Sequence, residues 1–237
     1  MKKLFLVTLI ILSSVVFSQE KTYRFLYDFH QVFETKNKNQ TGVSEAVKEE
    51  LNKSFELEVF ANKNQSFIKL IDVVRNSQTH FFLDIKPEPN WLLIDEASNL
   101  TYEKASNVNQ KFKFLQDSIQ RIQVQPTGEE KTVLGIRAKE YKTETEEYDY
   151  TFWLGDFNGI TASPVYFQFK DLIVLELKII FKDVLGNGNK REITYQLKDK
   201  KEATFNFKKN FPKKFTTKEE LNKLNNEIES ISGVEKE

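Results

Sequence analysis

The sequence predicts a mainly β fold: an antiparallel curved sheet, a half-barrel or a sandwich of about ten strands, followed by an amphipathic C-terminal helix. Three observations predict it. Segments in which apolar and polar residues alternate recur along most of the 237-residue chain, and this period of two is typical of half-buried strands. Phenylalanine occurs 21 times, and aromatic residues favour pleated, half-buried surfaces. Clusters of Asn, Gly and Pro separate the alternating segments, as turns require.

The clearest predicted element is a β-hairpin in the C-terminal half. Apolar residues occupy every second position from Leu175 to Phe181 and again from Ile193 to Leu197. A Gly-Asn-Gly-Asn run at residues 186–189 separates the two segments, and Asn-Gly tolerates the positive φ of tight hairpin turns. Because only one face of this hairpin is apolar, it requires a sheet around it.

Further strands are predicted on both sides of this hairpin. They fall at residues 23–29, 55–59, 66–71, 81–85, 131–142, 148–154 and 203–207, and a short strand opens at Phe112 and Phe114. Residues 91–94 form an apolar run, and residues 119–124 are predicted to be extended. Residues 44–51 form a candidate short helix, and the proline-rich run 86–90 breaks the chain, because proline fixes φ and removes a donor. Turns are predicted at Pro126-Thr127-Gly128 and at the acidic run 144–147. Residues 98–109 are polar and carry no predicted element.

The last predicted element is a helix from Thr217 to Ile231. Thr217 and Glu220 form a capping box, in which each side chain accepts from the other residue's amide. Its apolar face consists of Leu221, Leu224, Ile228 and Ile231. A helix of about 15 residues is marginal alone in water, so we expect this face to dock on the sheet or, alternatively, on a partner.

The N-terminus predicts export and sets the domain boundaries. Lys2 and Lys3 precede a short apolar run that ends in small residues near Ser18, the layout of a Sec signal peptide cut after residue 18 or 19. A membrane anchor would need roughly 20 apolar residues, and the chain has no cysteine for lipid attachment. We therefore predict a signal peptide at 1–19, a β domain at 20–212, a C-terminal helix and tail at 213–237, and a periplasmic or secreted protein without a transmembrane segment.

Charge and cysteine content exclude some classes. The 35 basic and 35 acidic residues cancel, so the chain lacks the electrostatic footprint of a nucleic-acid-binding protein. An exported chain without disulfides depends on its apolar core alone for stability.

Several segments resemble the GLPGLI family, exported proteins of Bacteroidetes-type bacteria without an established activity. Residues 131–138 (KTVLGIRA) resemble the family's K-x-I-L-G-Y-x-C strand, residues 150–154 its aromatic-Trp strand, and residues 172–177 the strand half of its name motif. Phe169-Lys170-Asp171 replaces the Gly-Leu-Pro half, which makes the chain a divergent member. The motif residues are Lys131, Gly135, Trp153, Pro164, Leu172, Leu175 and Glu176. The resemblance implies an envelope protein, in a fold class that includes lipid-carrier-like half-barrels.

The sequence predicts no catalytic, cofactor or metal site. His30 and His80 are the only histidines, and two histidines without cysteine supply too few of the ligands that zinc prefers. Hydrolase, metalloprotease, P-loop and dinucleotide motifs are absent. The carboxylates at 144–149 could suggest calcium, but no glycine shapes a calcium loop there, and a solvated hairpin tip is the preferred interpretation.

Three functional hypotheses follow. The first is a non-catalytic binding or interaction protein with an unknown envelope partner. The second is a carrier of an apolar ligand, which the aromatic excess favours, although aromatic side chains also fill cores. The third is a hydrolase with an unrecognised site. A large apolar cavity would favour the carrier, a filled core with an exposed apolar patch the binding protein, and a cleft with two converging carboxylates the enzyme.

Overall fold

A computed structural model describes residues 20–34, 54–71, 89–104, 114–182 and 190–223, and the fold is that of these residues. The strands are β1 (Thr22–Glu34), β2 (Ser54–Ala61), β3 (Gln65–Leu70), β4 (Trp91–Asp95), β5 (Leu100–Lys104), β6 (Phe114–Ser118), β7 (Gln125–Val133), β8 (Ile136–Glu144), β9 (Tyr148–Gly155), β10 (Ile173–Phe181), β11 (Lys190–Ala203) and β12 (Thr216–Thr217). Helix α1 (Phe207–Asn210) is a single turn. A second helix, α2, begins at residue 218 and is described to residue 223.

All twelve strands belong to one curved, unclosed sheet. Their order across it is β12-β6-β5-β4-β3-β2-β1-β11-β10-β9-β8-β7. Neighbours are antiparallel except for β12, which runs parallel to β6. The first strand in the chain, β1, therefore lies in the middle of the sheet, between β2 and β11. The predicted mainly β fold is confirmed, in the form of a single curved sheet.

The predicted central hairpin is confirmed by the pairing of β10 with β11. Ile179 lies opposite Ile193 and Leu177 opposite Tyr195. Residues directly opposite each other in an antiparallel pair share a face, so the apolar positions of both strands point to the same side. The Gly-Asn-Gly-Asn turn of this hairpin lies outside the described residues.

We call that side of the sheet the core face. On β1 it carries Phe25, Tyr27 and Phe29, all almost fully buried. Residues 156–172, which connect β9 to β10 and which we call the cover segment, pack on this face. Buried side chains of the cover segment are Ile160, Ala162, Val165 and Phe169. The Tyr27 hydroxyl donates to the Val174 carbonyl at 2.7 Å, and burial raises the Tyr27 pKa, so the phenol stays neutral.

The opposite side, the second face, is covered over β2 to β5 by residues 204–217, which we call the strap. The Phe205 ring stacks on Phe60 at 4.4 Å and on Phe67 at 5.2 Å. Phe211 and Phe215 contact the Tyr102 ring at 5.0 and 5.3 Å. The strap thus closes a second, smaller apolar cluster around Phe67, Leu93, Tyr102 and Phe207.

Four sequence predictions are corrected. The final strand predicted at 203–207 is wrong, because β11 ends at Ala203 and Asn206 caps α1 by accepting from the Lys209 amide. The segment predicted as one strand, 131–142, is a hairpin of β7 and β8. Its turn is Leu134-Gly135, with φ of 48° and 79°.

The other two corrections concern strands that were missed. Pro126-Thr127-Gly128 is no turn but lies within β7, where the register with β8 shifts between Pro126 and Glu130. The polar stretch at 98–109 contains β5, in which Thr101 and Tyr102 are buried on opposite faces. The turn predicted at 144–147 is confirmed, since Thr145 N–H donates to the Tyr148 carbonyl at 2.8 Å between β8 and β9.

The capping box that begins α2 is confirmed. Thr217 Oγ1 accepts from the Glu220 amide at 3.2 Å, and Glu220 Oε2 accepts from the Thr217 amide at 2.9 Å. The signal peptide, the helix at 44–51, the strand at 81–85 and the helix beyond residue 223 lie outside the described residues. The domain boundaries stay predictions. Within the described part of the chain, no helix is both long and apolar enough to cross a membrane.

Candidate functional site

The candidate site is a groove at one end of the core face, bounded by β1, β9, β10, β11 and the cover segment. Its volume is about 450 Å³, within the range of small-molecule sites. We call it the aromatic groove. It is lined by Phe29, Gln31, Tyr148, Tyr150, Val165, Tyr166, Phe167, Ile179, Arg191, Ile193 and Tyr195.

Strand register explains why these side chains meet. Ile179 lies opposite both Ile193 on β11 and Tyr150 on β9, and Phe29 on β1 lies opposite Tyr195. Because opposed residues share a face, all of them point to the core face. The lid over this end comes from the cover segment, where Phe167 forms a parallel bridge with Gln120.

The walls of the groove are aromatic rings in edge-to-face contact. Phe29 meets Tyr195 at 5.1 Å, Phe167 meets Tyr150 at 5.6 Å, and Tyr148 meets Phe181 at 4.9 Å. Burial, together with Glu147, raises the pKa of Tyr148, and burial also raises that of Tyr150. Both phenols are therefore neutral near pH 7, and the walls are uncharged.

One cation lies in this apolar setting. Arg191 Nη2 donates to Gln31 Oε1 at 2.9 Å, and its Nε donates to the same oxygen at 3.3 Å. The guanidinium carbon lies 4.2 Å from the centre of the Phe181 ring. Burial lowers the pKa of Arg191, but an arginine side chain remains protonated in proteins. The groove therefore carries a fixed positive charge.

Neither Arg191 nor Gln31 was singled out by the sequence, although a signal exists. Arg191 stands two positions before Ile193, and Gln31 two positions after Phe29. In a strand, positions two apart share a face, so both polar residues fall on the apolar side. A polar residue at a core-face position is informative, because burying it requires a partner.

The motif residues lie elsewhere, and three of them form a cluster on the second face. Lys131 Nζ donates to Glu176 Oε2 at 2.6 Å and lies 4.0 Å from the centre of a Trp153 ring. Trp153 and Glu176 are opposite each other on β9 and β10. All three side chains are half-buried, so the cluster joins β7, β9 and β10 at the surface of the sheet.

The remaining motif residues have structural positions. Leu175 is fully buried and packs where Gly155 has no side chain; a Cβ there would lie 2.8 Å from Leu175 Cδ1. Pro164 is buried in the cover segment. Gly135 and Leu172 line another open groove of about 560 Å³ at the opposite end of β8 and β9.

The predicted docking face of the C-terminal helix is described only in part. Leu221 is half-buried, whereas Leu224 and Ile228 lie outside the described residues. At the start of α2, Lys218 Nζ forms an ion pair with Asp117 Oδ2 at 2.6 Å, which holds the helix against β6.

The described residues offer little for metal or acid–base chemistry. Among them, no three His, Cys, Asp or Glu side chains cluster as metal ligands would. His30 Nδ1 is within 2.6 Å of Ser54 Oγ, and His80 lies outside this part of the chain. Of the carboxylates at 144–149, Glu144 and Asp149 both pair with Lys182 Nζ, at 2.9 and 3.1 Å.

Two carboxylates do line one small pocket of about 180 Å³ on β5 and β6, namely Glu103 and Asp117. Glu103 accepts a short hydrogen bond from the Tyr166 hydroxyl. Burial acts to raise the pKa of Asp117, but hydrogen bonds from Lys218 and the Ser118 amide hold this pKa below its usual value. Both carboxylates are thus engaged, and the pocket is smaller than typical ligand sites of about 300 Å³ or more.

Comparison with known proteins shows the fold alone. No family model and no curated protein sequence matches the chain. Its structure is similar to PNGF-II in two crystal forms, with TM-scores of 0.53 and 0.50 at 16% and 14% sequence identity. The matches cover 84% and 85% of this chain but 31% and 32% of PNGF-II, so the chain spans about a third of that protein's length. A DUF1329 family protein from Desulfovibrio piger aligns with a TM-score of 0.24 at 8% sequence identity, over 82% of this chain and 90% of that protein.

Proposed function

We propose that the protein is an exported, non-catalytic binding protein of the bacterial cell envelope, and that the aromatic groove is its binding site. The observation that carries the proposal is the groove itself. Elsewhere on the core face, Phe169, Val165 and Ile160 of the cover segment are buried in the core. At the end of β10 and β11 a volume of about 450 Å³ stays open between aromatic walls.

The same observation favours a binding protein over an enclosing carrier. An enclosing carrier would leave the space between the curved sheet and its cover open for a ligand; here Phe169 of the cover segment fills that space over β9, 4.9 Å from Phe152. A ligand in the aromatic groove would instead lie at the end of the sheet, within reach of an envelope partner. The resemblance to GLPGLI proteins supports an envelope location, and the engaged state of Glu103 and Asp117 makes a hydrolase the weakest of the three hypotheses.

Native mass spectrometry of protein purified from its own periplasm should show a bound small molecule. Ile179→Trp should abolish that signal, because Ile179 is a half-buried groove residue and a larger ring fills the space. Ile180→Trp is the matched control, since Ile180 is also half-buried but points to the second face beside Glu192. A wild-type spectrum without bound mass, or equal occupancy in both variants, would overturn the groove as the binding site.

Intact-mass measurement of the same preparation tests export. We expect the mature chain to start at Gln19 or Glu20, because the small residues before this point match a signal peptidase site. A chain that starts at Met1 in the membrane fraction would contradict export.

A further inference from the structure

We propose that the aromatic groove binds a fatty acid, with the carboxylate on Arg191 and the hydrocarbon tail along the aromatic walls. This inference rests on the proposed function, because it names the ligand class of the same site. Three features of the groove carry it: an arginine that has no acidic partner among the described residues, its fixed orientation, and an uncharged apolar wall that begins beside it.

The first feature is the unmatched charge. The other arginines of the described residues each pair with a carboxylate: Arg24 with Glu58 at 2.6 Å, Arg121 with Glu96 at 2.8 Å, and Arg137 with Glu130 at 2.5 Å. Within the same part of the chain, no carboxylate lies within ion-pair distance of Arg191; its partners are the Gln31 amide oxygen and the Phe181 ring. A partly buried charge is costly without a counter-charge, so an anionic ligand would gain an interaction that the protein leaves unmade.

The second feature is preorganisation. Arg191 lies directly opposite Phe181 in the β10–β11 register, and its guanidinium carbon is 4.2 Å from the ring centre. Gln31 accepts from Nε and Nη2. A guanidinium has five N–H donors in a planar fork, so at least one edge remains for a bidentate carboxylate. Because Gln31 already holds one edge of the guanidinium and the Phe181 ring packs on one face, ligand binding would cost little ordering entropy.

The third feature is the wall next to the charge. Ile193 and Tyr195 follow Arg191 on the same face of β11, and both are buried. Ile179 and the rings of Tyr150 and Phe167 continue this wall towards the cover segment. Side chains with a low affinity for water favour a hydrocarbon tail, at roughly 0.8 kcal/mol for each buried methylene group. A volume of about 450 Å³ suits a chain of medium length.

Isothermal titration calorimetry with dodecanoate and dodecanol separates the contribution of the carboxylate head group to binding from that of the hydrocarbon tail. Both ligands are used below their aggregation concentrations on the mature chain stripped of bound ligand. We expect wild-type protein to bind dodecanoate roughly tenfold to a hundredfold more tightly than dodecanol, because hydrogen bonds to charged groups contribute on that scale. Arg191→Gln should remove this difference and leave dodecanol binding unchanged.

The controls make the outcomes decisive. Arg137→Gln removes an exposed arginine at the other end of the sheet and should bind dodecanoate as the wild type does. Arg191→Lys keeps the charge but loses the fork, and should fall between wild type and Arg191→Gln. Equal binding of dodecanoate and dodecanol by the wild type, or tighter binding of dodecyl phosphate, would overturn the fatty-acid assignment while leaving the binding groove in place. A failure of every apolar probe together with an unchanged native mass spectrum for Ile179→Trp would overturn the proposed function too. If Arg191→Gln does not fold, the two ligands on the wild type still decide the question.

Discussion

Phe169→Ala should lower the free energy of unfolding by about 3–5 kcal/mol, the usual cost of removing a buried aromatic ring. Phe169 is only 8% exposed, and its ring meets Phe152 edge to face at 4.9 Å. Phe152 is fully buried on β9, so the Phe169 ring packs against the interior of the core. The alanine would leave a cavity between the cover segment and the core face over β9.

Differential scanning calorimetry measures this effect directly. Since 1 kcal/mol corresponds to roughly 2–4 °C for a chain of this size, the melting temperature should fall by about 6–20 °C. Phe215→Ala is the matched control, because it removes the same ring from a site that is 41% exposed and should cost far less. Equal losses in the two variants would show that the cover segment does not anchor the core.

Two truncations of the C-terminal region should destabilise the protein to different extents. Deleting residues 213–237 removes β12, the Lys218–Asp117 ion pair and the Phe215 ring, and should lower the melting temperature by several degrees. Deleting residues 205–237 also removes Phe205 and Phe207. Full burial of one phenylalanine contributes about 1.5–3 kcal/mol; because Phe207 is buried and Phe205 half-buried, this second deletion should cost about 2–4 kcal/mol more. It would also expose Phe60 and Phe67 on the second face as an apolar patch.

Melting curves of the wild type and both truncations test this order. We expect the wild type to be the most stable and the 205–237 deletion the least, with a tendency to aggregate through the uncovered patch. An unchanged melting temperature for the 213–237 deletion would mean that the helix does not dock on the sheet. The alternative of a partner-binding tail would then be preferred.

The alternation of apolar and polar residues correctly predicted the strands that have one buried and one solvated face. In β2 the burial pattern alternates residue by residue from Phe55 to Ala61, and the sequence shows the same alternation. The pattern fails for β7, because this edge strand is exposed over most of its length and has no apolar face to display. It also fails for β5, where the buried Thr101 is polar and the pair Thr101-Tyr102 is buried on both sides.

The strap shows a different limit of local patterns. Phe205 and Phe207 are two apart, as in a strand, but Asn206 between them caps a helical turn. Both rings still reach the second face, and no local pattern distinguishes this arrangement from a strand. The Leu134-Gly135 turn was missed for a similar reason, since leucine rarely adopts the positive φ that it has here.

The candidate site depends on register between distant segments, which a local pattern does not contain. Gln31 and Arg191 are 160 positions apart and meet because β1 pairs with β11. Lys131 and Glu176 are 45 positions apart; the sequence identified both as motif residues but not as an ion pair. The sequence does show that Arg191 lies on the apolar side of a strand, because it stands two positions before Ile193.

The central position of β1 has a consequence for how the chain folds. As the first strand in the chain, β1 can pair with β2 early, but its other edge stays open until residues 190–203 have been added. Partners so distant in sequence give a high contact order, which slows folding. During that interval β1 presents unpaired backbone groups beside Phe25, Tyr27 and Phe29, a combination prone to intermolecular pairing. Of the described strands, β1 is thus the first to be synthesised but among the last to have both edges paired, and the risk of intermolecular pairing lasts until β11 has docked.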